Sequence, residues 1–314
     1  MSAVIEVQGL TRRFGSLTAV DHVAFSIEEG ELFGFLGPNG AGKTTTVRML
    51  TGVLEPSEGT ASIQGHEVRG EALLSRAHLG VVPEEANVYL DLSVWRNVML
   101  MADLHGIPRA ERVREGARLL DALGLGDRRK HKARTLSKGL RQRLMLCAAL
   151  VTHPAILFLD EPTSGLDVQS ARLIRGIVSE LNRDGLTVFL TTHNMAEAEE
   201  MCSRLAIINH GRIAAIDTPD GLRSVVRTSQ YVELRFDGEG PPAEELAALP
   251  AVSRAVAEEA TLRLYTDAPG RAAAQAVRLA DDRGLAIAHL CTRTPSLEDI
   301  FLHLTAGRAE EAQP

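Results

Sequence analysis

The sequence predicts an α/β fold: a mostly parallel sheet flanked by helices and organised around a phosphate-binding loop, followed by a smaller α+β domain. Three observations predict it. Gly37-Pro38-Asn39-Gly40-Ala41-Gly42-Lys43-Thr44 matches Gly-x-x-x-x-Gly-Lys-Ser/Thr at every specified position, between an apolar strand at 32–36 and a helical stretch at 45–50. Two further runs, 156–159 and 187–192, carry the apolar character of buried parallel strands. After Thr218-Pro219 the pattern changes to strands and helices in the order β-α-β-β-α-β.

The first strands are read at 5–7, 17–20 and 23–27 from their alternating residues. Phe14 lies between them, about two dozen residues before the phosphate loop, and is a candidate for stacking on a purine ring. Such a contact is worth about 1–3 kcal/mol in comparable base stacking. In the loop itself, glycines let the backbone bend around an anion so that N–H groups face phosphate oxygens. The helix that follows adds unpaired donors and a partial positive charge at its start. Lys43 is placed to reach the β- and γ-phosphates and Thr44 to put its hydroxyl on Mg²⁺, with Thr45 just past the loop.

Strand and turn follow at 57–68, and a short apolar strand at 79–82 ends at Pro83-Glu84. From 91 to 106 the pattern is helical, with Leu92, Trp95, Val98, Met99 and Ala102 on one face and Ser93 as N-cap. Trp95, Met99 and Met101 fit either a core or a docking surface. A charged amphipathic helix is expected at 108–123, its arginines and glutamates on a solvated face. Another opens at Ser137-Lys138-Gly139, where a serine cap and a glycine can form a second anion site.

The strand at 156–159 delivers Asp160 and Glu161 to its C-terminal end, where open α/β sheets keep their ligand crevice. Asp160 is positioned to hold Mg²⁺ through water, and Glu161 to take a proton from an attacking water. His193 leaves the strand at 187–192 on the same edge, placed to bond a γ-phosphate or hold that water. A strand at 205–208 precedes the turn His210-Gly211. In the C-terminal part, strands are expected at 231–236, 252–258, 261–265 and 285–291, helices at 242–249 and 270–283, and a closing helix from Ser296, with 307–314 as a tail.

Composition narrows the function. With 314 residues, 45% of them hydrophobic, two domains with a sizeable core are expected. A net charge of −7 argues against broad attraction to nucleic acid or to an anionic membrane surface. Cys147, Cys202 and Cys291 are far apart and odd in number, so neither a disulfide framework nor zinc spacing is indicated and a reducing cytosol is expected. No apolar run approaches the roughly 20 residues that span a bilayer, so no direct membrane insertion is expected and any membrane role needs another polypeptide.

Taken in order, these motifs resemble the nucleotide-binding domain of ABC transporters over about residues 4 to 224. The family signature LSGGQ stands here as Leu136-Ser137-Lys138-Gly139-Leu140, and Ser164 to Asp167 matches the turn after the second acidic motif. His193 matches the switch histidine, and Phe14 the aromatic that stacks on adenine. The resemblance implies a P-loop NTPase domain at 1–224, with an antiparallel β subdomain and a helical subdomain at about 86–150, and a ferredoxin-like accessory domain at 225–306. It implies ATP and Mg²⁺ as ligands. It further implies an ATP-sandwich dimer with a second copy or a homologous ATPase subunit, each nucleotide lying between Lys43 of one chain and Ser137 of the other, with Ser137 and Gly139 nearest the phosphate and Asp167 among the nucleotide-binding residues. Glu84 stands where the family has Gln, and its charge beside a γ-phosphate is repulsive unless metal or a proton offsets it. Lys138 and Leu140 also depart from the signature. Both departures, and the Ser296-to-Phe301 segment, look like the drug- and antibiotic-resistance exporter branch, whose ATPase drives a separate membrane permease from the cytoplasmic face of the cell membrane.

Two other functions compete. A soluble ABC-type ATPase acting on nucleic acid or ribosomes usually carries two nucleotide-binding domains or a long coiled coil, whereas this chain has one phosphate loop, no heptad run and an acidic balance. A small-molecule P-loop kinase does not account for the signature helix or His193.

Overall fold

The computed structural model describes residues 3–85, 87–225, 230–238, 240–258, 261–293 and 296–306; the expected tail at 307–314 lies outside them. The chain divides into two compact units, residues 1–218 and 219–314.

In the first unit, β1 (Ala3–Phe14) and β2 (Leu17–Glu28) form a long antiparallel hairpin. The two short strands expected at 17–20 and 23–27 are one strand, and His22 at φ 52° takes up the irregularity between them. Next come β3 (Leu32–Leu36), α1 (Lys43–Leu50), β4 (Glu58–Ile63), β5 (His66–Glu67), α2 (Ala72–Arg76) and β6 (Leu79–Val82). Three helices follow, α3 (Val94–Leu104), α4 (Arg109–Ala122) and α5 (Lys138–Leu150). The unit ends with β7 (Ile156–Asp160), α6 (Val168–Arg183), β8 (Thr187–Thr192), α7 (Met195–Met201), β9 (Arg204–Asn209) and β10 (Arg212–Asp217).

Two sheets result. An antiparallel one has the order β2-β1-β4-β5, and a six-stranded one the order β10-β9-β3-β8-β7-β6. In the latter only β10 runs antiparallel; β9, β3, β8, β7 and β6 are parallel neighbours. Every residue of β3, β7 and β8 is buried, the consequence of covering a parallel sheet on both faces. The core between the sheets is aromatic: Phe25 stacks on Phe33 at 5.3 Å, and Phe189 meets Phe158 at 5.1 Å. Burying each such ring contributes about 1.5–3 kcal/mol.

The parallel order puts the C-terminal ends of β3, β7 and β8 side by side, and the site residues leave from there. The helical subdomain holds together partly because Gly116 lets α4 approach α3: a Cβ there would lie 2.4 Å from Met99 Cε and 3.3 Å from Val98 Cγ1. Trp95 and Met99 therefore face α4, whereas Met101 lines a groove with Val53, Leu104 and Met145.

The second unit contains α8 (Pro219–Val225), β11 (Tyr231–Phe236), α9 (Ala243–Ala247), β12 (Arg254–Glu258), β13 (Thr261–Tyr265), α10 (Pro269–Asp282), β14 (Ile287–Arg293) and α11 (Leu297–Ala306). From β11 to β14 the order is the expected β-α-β-β-α-β, in an antiparallel sheet β12-β13-β11-β14. Val232, Leu234 and Leu264 pack with Ala272, Ala276 and Ala280 of α10, whose small residues let the helix lie close to the sheet. The boundary between units falls at 218/219 rather than 224/225, because α8 packs against α11 and so belongs to this unit.

Candidate functional site

The phosphate loop leaves β3 at Leu36 and enters α1 at Lys43, two residues before the helix start expected from sequence. Two of its glycines are required by space. A Cβ on Gly37 would lie 2.4 Å from the Ile208 carbonyl oxygen, and one on Gly42, at φ 107°, would lie 2.6 Å from that of Ala19. The loop is thus pressed against β9 and β2. Its start is tied to the neighbouring strand by the Gly37 N–H, which donates to the Thr192 carbonyl at 3.2 Å. A cavity of about 310 Å³ opens over it, lined by Asn39, Gly40, Gly42, Lys43, Thr44, Thr45, Glu84 and Glu161, together with Ala19, which the sequence did not single out. Pro38 and Ala41 belong to the loop; Ala41 is buried and the Pro38 carbonyl is used by Lys43.

Lys43 is buried with its ammonium turned back on the loop. It donates to the Gly37 carbonyl at 2.7 Å and the Pro38 carbonyl at 3.0 Å. Glu161 Oε1 lies 3.1 Å from the same ammonium, yet that buried oxygen accepts no hydrogen bond. The other oxygen, Oε2, is 2.8 Å from His193 Nδ1. Glu161 is itself in the left-handed region at φ 50°, a costly conformation for a residue with a side chain. It is held there by its N–H, shared between the carbonyl and hydroxyl of Thr191 at 3.1 Å each. The Thr191 hydroxyl in turn donates to Asp160 Oδ1 at 2.5 Å. Lys43, Asp160, Glu161 and His193, which are scattered through the sequence, are therefore joined directly or through Thr191 at one sheet edge. Oε1 faces the ammonium without accepting a hydrogen bond, so the carboxylate keeps one oxygen for a new partner once Lys43 is drawn elsewhere.

Glu84 lines the cavity and receives a long contact, 3.5 Å, from the Ser164 hydroxyl. Phe14 stands at the end of β1, about half exposed, with the Arg12 guanidinium 4.7 Å above its ring; it does not line this cavity. Ser137, Gly139 and Asp167 also lie outside it. Ser137 caps α5 by accepting from the Leu140 N–H at 3.3 Å. Asp167 caps α6, taking the N–H and hydroxyl of Ser170 at 2.8 Å each, and these bonds hold its carboxyl below the usual carboxylate range. Gly139 is buried against the same serine: a Cβ there would lie 2.7 Å from Ser170 Oγ.

Sequence reasoning missed Glu197, on the first turn of α7 and only 2% exposed. No motif or spacing between Ala196 and Glu200 marks it in the sequence.

A glycine-rich loop opening a helix, with an acidic pair at the end of a parallel strand, defines a P-loop nucleoside triphosphatase. The ABC transporter family model matches residues 20–164. Over 302 residues the chain is 36% identical to the Nod factor export ATP-binding protein I of Ralstonia nicotianae, covering 96% of this chain and 94% of that one. It is 35% identical to the daunorubicin/doxorubicin resistance ATP-binding protein DrrA of Streptomyces peucetius, covering 98% and 94%. A dimeric ATP-binding cassette solved in a post-hydrolysis state with ADP and Pi superposes with a TM-score of 0.62 at 26% identity, covering 68% of this chain and 98% of that one. The chain belongs to the ABC transporter family, as an ATP-binding, ATP-hydrolysing subunit. The expectation drawn from the motifs is borne out, and the alternative of an ATPase acting on nucleic acid is not. No helix among the described residues is long and apolar enough to cross a membrane.

Proposed function

We propose that this chain powers export through a separate transmembrane permease, working as half of an ATP-sandwich dimer on the cytoplasmic face of the cell membrane. The observation that carries the reading is Glu161 held between Lys43 and His193 at the edge of the phosphate cradle. Lys43 leaves its loop carbonyls for the β- and γ-phosphates, and the cradle's N–H groups take the remaining oxygens. Glu161, released from the ammonium, accepts the proton of the attacking water, and His193 holds the carboxylate in orientation through Oε2. The site suits Mg²⁺: Thr44 and Glu84 line the cavity, and Asp160, which lies outside its lining at the end of β7, is a buried carboxylate with Oδ1 engaged by Thr191. When bound, the ion offsets charge on the phosphates and on Glu84.

Ser137, Gly139 and Asp167 lie away from the cradle of their own chain, which favours their use against the nucleotide of a second copy or a homologous subunit. Phe14 faces the adenine. The permease is proposed to seat on a groove of about 560 Å³ between the sheet and the helical subdomain. Its rim exposes apolar side chains, Val53 at 71% and Leu104 at 67% among them, which water alone does not favour. The names of the two relatives, one for export and one for drug resistance, support the direction of transport. The second unit, ferredoxin-like in its strand order, is proposed as an accessory domain that stabilises or regulates the dimer. The test is sedimentation of the Glu161→Gln variant with Mg²⁺-ATP, alone and with the permease. ATP-dependent dimers are expected; a strict monomer under both conditions would overturn the sandwich.

A further inference from the structure

We propose that Glu197 is a positioning residue for hydrolysis, clamping the turn that carries Glu161 to the strand end that carries His193. The inference rests on the hydrolytic role assigned to Glu161 above. Glu197 is buried, and both of its carboxylate oxygens are used. Thr163 Oγ1, two residues past Glu161, donates to Oε1 at 2.7 Å. Thr192 Oγ1, one residue before His193, donates to Oε2 at 2.6 Å. Bonds of this length between a hydroxyl and a buried carboxylate are the charge-assisted kind, roughly twice as strong as neutral ones.

The clamp is anchored at both ends. Asn194 Oδ1 caps α7 by accepting the Glu197 N–H at 3.1 Å, which fixes where the carboxylate starts. The Thr192 hydroxyl also accepts the Asn194 N–H at 3.0 Å while donating to Glu197, so it is held from both sides. The Thr192 carbonyl receives the Gly37 N–H, so the same residue touches the start of the phosphate loop. One carboxylate therefore sets the spacing of the two segments whose side chains meet at the Glu161–His193 bond, one of which also holds the start of the phosphate loop.

The chemistry explains the residue type. Both threonines arrive as donors, so a carboxylate satisfies both, whereas an amide presents one acceptor and one donor. A glutamine would leave one buried hydroxyl proton without a partner and loosen one arm. Because Glu161 holds a left-handed backbone conformation, its turn needs outside restraint, and the Thr163 arm supplies it from the C-terminal side.

The experiment compares Thr163→Val, Thr163→Ser, Thr192→Val and Glu197→Gln with the parent chain and with Glu161→Gln, reading kcat and KM for ATP, ATP affinity, and Tm. Thr163→Val and Glu197→Gln are expected to lower kcat by about 10- to 100-fold, as a displacement near 1 Å does, with KM and ATP affinity within about 2-fold. Thr163→Ser, which keeps the hydroxyl, restores turnover. A purely structural residue would lower Tm while leaving kcat per folded molecule unchanged, and that result overturns the proposal. Should Glu197→Gln fail to fold, the isosteric threonine variants decide on their own. If Thr163→Val turns over like the parent while Glu161→Gln is inactive, the clamp is wrong and the site stands. If Glu161→Gln is itself active, the error lies in the role given to Glu161.

Discussion

Replacing Glu161 by glutamine separates two consequences of one ion pair. In the folded chain the Lys43 ammonium is shared between two loop carbonyls and the Glu161 carboxylate, 3.1 Å away. At an effective dielectric near 20 the gross attraction is on the order of 5 kcal/mol, most of it offset by desolvating both charges. ATP must take Lys43 from that carboxylate and bring phosphate charge close to it. Glutamine keeps the shape and an acceptor for His193 but removes the competing charge. A net gain of about 1 kcal/mol is expected, or ATP bound about five-fold more tightly. Turnover falls in the opposite direction, by about 10²–10⁴-fold, because an amide cannot take the proton. Equilibrium titration with ATP and a single-turnover hydrolysis assay read the two effects separately. Turnover within about 3-fold of the parent would refute the general-base role. ATP affinity weakened about ten-fold would refute the competition for Lys43.

Four further outcomes follow from the structure. Gly42→Ala is expected to abolish ATP binding with the circular dichroism spectrum retained, since the added Cβ at φ 107° meets the Ala19 carbonyl at 2.6 Å and moves the loop. Asp160→Asn keeps an acceptor for Thr191 and so folds, but it is expected to lose about 10²-fold in turnover and to recover part of that as Mg²⁺ is raised, measured by steady-state titration of the ion. Burial pushes the Cys147 and Cys202 thiols far above their ordinary range. An alkylating reagent at pH 8 should therefore label Cys291 alone in the native chain and all three cysteines in denaturant, counted by mass spectrometry. The same raised values stabilise the fold fully below the unfolded thiol pKa of about 8.5. They cost stability progressively as pH rises from there, because the unfolded chain then releases protons that the folded chain keeps; urea midpoints from pH 7 to 10 test this.

What could be read from the sequence was whatever one segment determines by itself. The phosphate loop was legible because its glycines answer a local demand, seen again in the carbonyls that crowd Gly37 and Gly42. The strands β3, β7 and β8 were legible because burial on both faces makes them apolar throughout. The helix starts at Ser93 and Ser137 were legible because a cap needs only its own next turn. What escaped depends on segments meeting. Ala19 lines the cavity only because the β1–β2 hairpin folds across it. The single strand β2 required seeing His22 absorb a bulge that its partner imposes. Residues 219–225 changed unit because of a helix seventy residues further along, which no local pattern announces.

Glu197 is the sharpest case, because its sequence context pointed the wrong way. Three of the seven residues of α7 are glutamates, a charge density that by pattern belongs to a solvated surface. A buried carboxylate is costly unless its oxygens are bonded, so its burial here is explained by the two threonines that reach it, one from the turn after β7 and one from the end of β8. Thr163 and Thr192 are equally mute in the sequence, each one hydroxyl beside a louder neighbour. The residues proposed for the chemistry were visible through their types and order; the residue proposed to fix the angle between them was visible only once the segments were laid side by side.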